Sequence, residues 1–418
     1  MLSYADRSWL LWVSILLLSV AVSSIFVYYS ASGLAHLYEE LGKEYVSDEI
    51  YYVDTARRIL QNVFKVDIDY WSYSGKTDED YYNLEHPPLG KYIIALSMLV
   101  CGDEPLCWRL PGILEASMIP VIIALAYTGR RPPMILAASS AAMAAGSDYI
   151  LRTAGAVAML DIHLAFFTAL TILAAARGRL GLASIMAGAA ASVKMSGVAA
   201  VLALIVYIAY AGWMSRRERI RTVVKIVLIS LTVYIVMYVP LASYFGPVEL
   251  VKENINALKW HTTSRPADGP PTSTPTGWIF NVNPFYYSVS GALVSARLNT
   301  LIHLPALVAA LIITMYHLDR GRERMVFSSI LYMSIIITYY LVFVMGNRTL
   351  YSFYAVQLTP AAAGVLAEIS LLASGGSGTP KTLEGDQRPN GGGDGGSIRE
   401  ARAQDPGAGE AQGGAGVG

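Results

Sequence analysis

Apolar residues run in blocks of about twenty along most of this sequence, and each block ends in a short polar or basic stretch. A membrane-crossing helix needs about 20 mostly apolar residues. By that measure the blocks 8–31, 110–128, 132–148, 155–176, 180–194, 196–214, 222–244, 298–316, 325–345 and 352–372 predict about ten transmembrane spans. The Ala/Gly-rich block 180–194 is short, and its small side chains would let neighbouring helices approach closely. The run 87–101 is too short to cross and predicts a helix lying at the interface.

Between the spans, basic residues alternate in a consistent way. Arg7, Arg130/Arg131, Arg177/Arg179, Arg216/Arg217/Arg219/Arg221 and Arg320/Arg322/Arg324 fall on one side, which the positive-inside rule makes the cytoplasm. Two long segments, 32–109 and 245–297, then lie outside as extracytoplasmic loops. The first contains an amphipathic stretch over about 48–62. Residues 1–372 form one membrane domain. Residues 373–418 are Gly-, Pro- and charge-rich and predict a disordered cytoplasmic tail. No cleavable signal is evident, because the apolar run after Arg7 is long enough to span.

Composition agrees with this reading. Hydrophobic residues make up 54% of the 418, charged residues 15%, and the formal net charge is zero, so charge does not suggest a nucleic-acid partner. Two cysteines exclude a disulfide framework or a cysteine-based zinc site. Cys101 and Cys107 are close enough to bridge in an outer loop, and two free thiols are the alternative.

Ionisable residues gather towards the extracytoplasmic side: Asp48, Glu49, Asp54, Glu85, His86, Lys91, Arg109, Asp148, Arg152, Asp161, Lys194, His261, Arg265 and Arg348. Charge at membrane depth is expensive, so Asp161 is either functional or a buried carboxylate paired with a cation such as Lys194. Asp48-Glu49 follow Ser47, which can cap a helix whose positive end favours the acids. Alternatively, one carboxylate projects over the membrane surface as a general base. In Glu85-His86-Pro87-Pro88-Leu89-Gly90-Lys91 two prolines exclude helix before them and let one start after them, which holds Lys91 in its first turn. Arg109 is either an interfacial anchor or a planar fork gripping a phosphate.

The acid pair, His86-Pro87-Pro88-Leu89-Gly90-Lys91 and Arg109 resemble the first extracytoplasmic loop of protein O-mannosyltransferases, integral membrane enzymes of the GT-C fold. Leu160-Asp161-Ile162-His163-Leu164, Ser192-Val193-Lys194-Met195-Ser196-Gly197 and Arg348 through Tyr354 with Pro360 extend the likeness, as do Trp260-His261 and Ser273 through Trp278. Together they span roughly residues 45–362. Gly155-Ala156 stand where the family commonly has Ser-Arg, Met195 replaces the usual tryptophan, and no large lumenal domain is present.

The resemblance implies an inverting transferase that moves mannose from dolichyl-phosphate mannose to a Ser or Thr hydroxyl of a protein on the outer side. It implies Asp48 as base and Glu49 as a shaper of the donor or acceptor site. The leaving phosphate needs preorganised cations. Arg109 is the first candidate, with Lys91 and Arg348 as partners. His86, Asp161, Lys194, His261 and Trp278 are the expected substrate contacts. No metal or other cofactor is implied, although a divalent ion would find carboxylates at hand. The outward site fits a multi-pass protein of a prokaryotic, archaeal plasma membrane. Transfer of another lipid-linked sugar to a lipid or glycan is the rival within enzymes. A secondary transporter using Asp161 and Lys194 is the rival outside them, against which stand one-sided polar residues and the lack of a second related half.

Overall fold

A computed structural model of the protein describes residues 45–66, 77–78, 81–129, 131–263, 269–288, 294–320 and 326–374. The expected first span 8–31 and the cytoplasmic tail lie outside the described residues, apart from 373–374, and so does Arg265. Helices carry nearly all of the remaining structure. Among the described residues five are long and apolar enough to cross a membrane: Pro105–Tyr127 (α3), Arg216–Phe245 (α9), Thr300–Asp319 within α12 (Thr300–Arg320), Phe327–Val344 (α13), and Ser352–Ala373, which ends in α14 (Leu358–Ala373). Pro132–Ser147 (α4) and Tyr149–Gly155 (α5) make a sixth if they are one span bent by 59°. Leu160–Ala176 (α6), Leu180–Val193 (α7) and Val198–Ala209 (α8) are shorter apolar helices. The expected span 155–176 thus begins five residues late, because 156–159 are a turn.

Local sequence sets the helix ends. Proline occupies the first turn of α3 and α4, where its missing N–H is no loss. Ser215 and Glu218 form a reciprocal capping box that starts α9. Along α9, Ile220, Val224, Leu228, Leu231, Ile235 and Val239 are all exposed, a face suited to lipid rather than water. Its other side meets α7 at Gly188, where an added Cβ would lie 2.8 Å from the Ser230 carbonyl oxygen. The small residues of 180–194 therefore do permit close helix approach.

The amphipathic stretch becomes Glu49–Arg58 (α1), prolonged by one wider turn over Ile59–Val63. The 87–101 run becomes Leu89–Cys101 (α2). Asp54, Arg57 and Asp103 tie α1 to the segment leading into α3: Arg57 Nη1 reaches Asp54 at 2.7 Å and Nη2 reaches Asp103 at 2.9 Å. Cys101 and Cys107 are disulfide-bonded across the turn between α2 and α3. Within 245–297, Pro247–Thr262 (α10) and Pro275–Ile279 (α11) are helical, and Tyr286–Ser288 (β1) pairs antiparallel with Val294–Ser295 (β2).

Asp161 opens α6 and Arg177 follows its last residue; Arg179 precedes α7 and Lys194 follows it. The α6–α7 hairpin thus carries the acid–base pair at one end and the arginines at the other.

Candidate functional site

The acid pair is split by the backbone just before it. Ser47 sits at φ 56°, a conformation that costs a non-glycine residue of order 1 kcal/mol or more. Asp48, not Ser47, takes the cap position of α1, and neither side chain caps the helix. The two carboxylates therefore meet different surroundings.

Glu49 is fully buried. Its Oε1 accepts from Arg109 Nε at 2.6 Å and from the Ala158 amide at 2.7 Å; its Oε2 accepts from Arg109 Nη2 at 2.6 Å and from the Val46 amide at 2.7 Å. This carboxylate joins α1, α3 and the turn that leads into α6. Arg109, expected to grip the donor phosphate, forks onto Glu49 and lines neither cavity described below. Lys91 is likewise buried: its ammonium donates to the backbone oxygens of Asn83 and of His86, the latter at 2.7 Å. It holds the loop before the two prolines in place. Arg348 is exposed, with its guanidinium 4.1 Å from the centre of the Phe343 ring.

Asp48 faces a groove of about 720 Å³. No described side chain hydrogen-bonds its carboxylate. Burial pushes its pKa up to about 6, with Lys194 opposing the rise and Asp161 adding to it. Tyr52, His86, His261 and Tyr354 line the same groove, and the His86 and His261 rings are 5.2 Å apart.

A second cavity, of about 210 Å³, is lined chiefly by apolar groups, among them Val198, Leu258, Val342 and Met345. Lys194 lines it too. His261 and Tyr354 border both cavities, so the two meet at these rings. The chain is extended at Lys194, between α7 and the tight turn Met195–Gly197. Gly197 is needed there, since an added Cβ would lie 2.2 Å from the Ala190 carbonyl carbon. Lys194 Nζ sits 2.7 Å from Asp161 Oδ1 and 3.8 Å from the centre of the Tyr354 ring. Asp161 Oδ2, buried at the positive end of α6, has no hydrogen-bond partner among the described residues. Trp278 is buried, packs edge-on against Tyr339 with centroids 5.0 Å apart, and lines neither cavity; Tyr339 lines the apolar one.

Residues 85–244 match the family model described as dolichyl-phosphate-mannose-protein mannosyltransferase. The structure is similar to ArnT from Cupriavidus metallidurans in the apo state (17% identity, TM-score 0.54, covering 86% of this chain and 61% of that one). It is also similar to the same protein bound to undecaprenyl phosphate (16%, 0.52, 85% and 59%). The protein has the GT-C glycosyltransferase fold. A further GT-C neighbour is the archaeal oligosaccharyltransferase AglB from Archaeoglobus fulgidus, in complex with an inhibitory peptide and a dolichol-phosphate (12%, 0.50, 89% and 51%). This chain spans about three fifths of ArnT and about half of AglB. None of the curated proteins compared with the sequence matches it.

Several contacts of this GT-C chain were not legible from sequence. Asp148 receives His303 Nε2 and Thr359 Oγ1, each at 2.7 Å, and fastens α12 to α14. His163 Nδ1 meets Glu115 at 2.5 Å between α6 and α3. Tyr354 borders both cavities, and only the family-like run around it hinted at a role. Among the described residues no group of three or more His, Cys, Asp or Glu side chains is arranged to hold a metal.

Proposed function

We propose that this protein is an inverting glycosyltransferase that moves a sugar, mannose by family likeness, from a polyprenyl-phosphate donor to a Ser or Thr hydroxyl on the extracytoplasmic side. The observation that carries the reading is the division of labour in the acid pair: Asp48 faces the groove while Glu49 is engaged by Arg109 and two backbone amides. A base must reach its proton, and Asp48 is the carboxylate of the pair in a position to do so.

The apolar cavity suits the isoprenoid next to the phosphate, and Lys194 lies where a cation is required. As the bond between the anomeric carbon and the phosphate oxygen breaks, Lys194 stabilises the leaving anion. The acceptor oxygen attacks from the opposite face and gives its proton to Asp48, so the anomeric configuration inverts. Tyr354 and His261, at the boundary of the cavities, frame the position of the sugar. The likeness to proteins seen with undecaprenyl phosphate and with dolichol-phosphate supports a lipid-phosphate donor. The mannosyltransferase description of residues 85–244 supports the sugar. Arginines at the opposite end of the α6–α7 hairpin from Asp161 and Lys194 support a site facing away from the cytoplasm.

The test is transfer from radiolabelled polyprenyl-phosphate mannose to a Ser/Thr peptide by the purified protein. Labelled peptide supports the reading. Donor consumption only when lipid or glycan acceptors are supplied would replace the acceptor.

A further inference from the structure

The groove offers hydrogen-bond acceptors and little positive charge. Asp48, Asp78 and Glu85 line it, and none of the described lining residues is a lysine or arginine. Arg58 is close in sequence, but its guanidinium is held by Thr77 Oγ1 at 2.7 Å, Thr77 O at 2.8 Å and the Tyr81 carbonyl. The second observation is Asn83. Its side chain is buried and lines the groove; Nδ2 donates to the Tyr81 hydroxyl and to Glu85 Oε1, each at 2.8 Å, while Oδ1 has no hydrogen-bond partner among the described residues. An unsatisfied buried acceptor costs about 1–3 kcal/mol, which an incoming donor would relieve. The aromatic lining adds to this: Tyr51 and Trp260 are 43% and 54% exposed.

Lysine and arginine carry donors and no acceptor, so they complement such a wall, and aromatic faces attract the same cations. A neutral glycan presents donors and acceptors together and gains nothing from the net charge. A phosphorylated glycolipid is repelled.

We propose that this groove selects a cationic acceptor: a Ser/Thr-bearing peptide segment flanked by lysine or arginine. The word acceptor rests on the transferase reading above; the charge preference does not.

Three fluorescent peptides that share a Ser/Thr core and carry Lys, Gln or Glu flanks separate the two. Their binding to the purified full-length protein is read by anisotropy without donor, at about 0.02 M and about 0.3 M salt, which brackets strong and weak screening. The Lys-flanked peptide should bind at least about tenfold tighter than the Glu-flanked one at low salt, with the Gln-flanked peptide between them. The spread should shrink at high salt. Asp78→Lys, which reverses one charge of that wall, should reduce it several-fold. Equal binding of the three, or tighter binding of the Glu-flanked peptide, overturns the proposal. So does a neutral oligosaccharide that displaces the Lys-flanked peptide with no salt dependence. If the Lys-flanked peptide binds as expected but no peptide ever receives sugar, the cation preference stands and the transfer reading fails.

Discussion

Glu49 and Arg109, 60 positions apart, are joined by two 2.6 Å contacts in the interior, and this pair decides which acid of Asp48-Glu49 is left to face the groove. Glu49→Gln removes the charge that Arg109 needs. Breaking one side of a buried ion pair typically costs about 3–5 kcal/mol. The variant is expected to lose thermal stability, with transfer falling in step because the turn before Asp161 is anchored on the same carboxylate. Thermal unfolding in detergent measures this. Unchanged stability would show that the pair does not carry the fold.

Asp48 behaves in the opposite way. Its carboxyl is pushed up to about 6 chiefly by burial, so ionisation is disfavoured in the folded state. The base works only when ionised: kcat should rise about tenfold per pH unit below about 6 and level off above it. Stability has the reverse sign. The advantage of the protonated form is complete near pH 4 and is lost as pH rises through about 6. Asp48→Asn should therefore gain on wild type in melting temperature between pH 4 and 7.

In the proposed mechanism the Lys194–Asp161 pair serves both structure and chemistry. Lys194→Met strands a buried carboxylate and should cost about 3–5 kcal/mol. Adding Asp161→Leu should recover most of that stability without recovering transfer, since the cation beside the apolar cavity is still missing. A double variant that is both stable and active would reduce Lys194 to a structural partner.

Filling the apolar cavity probes the donor. Val342→Trp places an indole in about 210 Å³ of space. The KM for a long-chain polyprenyl donor should rise about tenfold, a loss of about 1.4 kcal/mol of binding. The pH profile set by Asp48 should not move. An unaltered KM would exclude this cavity as the lipid site.

How far the sequence reached differs from element to element. The described helices follow the apolar blocks closely, because twenty-residue hydrophobicity is a local signal. The break at 156–159 and the bend between α4 and α5 escaped, since alanine-rich sequence gives a turn no distinct pattern. Asp161 with Lys194 was legible because few partners exist at that depth. The Glu49 partner of Arg109 was not. An arginine beside an apolar run gives no sign of a glutamate 60 residues away, and only the folded contact shows it. The partners of Lys91 escaped for a similar reason: they are backbone carbonyls, which leave no trace in side-chain patterns.

The most direct test compares Asp48→Asn with wild type for transfer of labelled sugar from polyprenyl-phosphate mannose to a Ser/Thr peptide, at pH 7.5 and with both proteins folded. Loss of a positioned base lowers the rate by about 10²–10⁴-fold, and a fall of at least a hundredfold at unchanged or higher melting temperature is the predicted result. Transfer within about threefold of wild type would contradict Asp48 as the base.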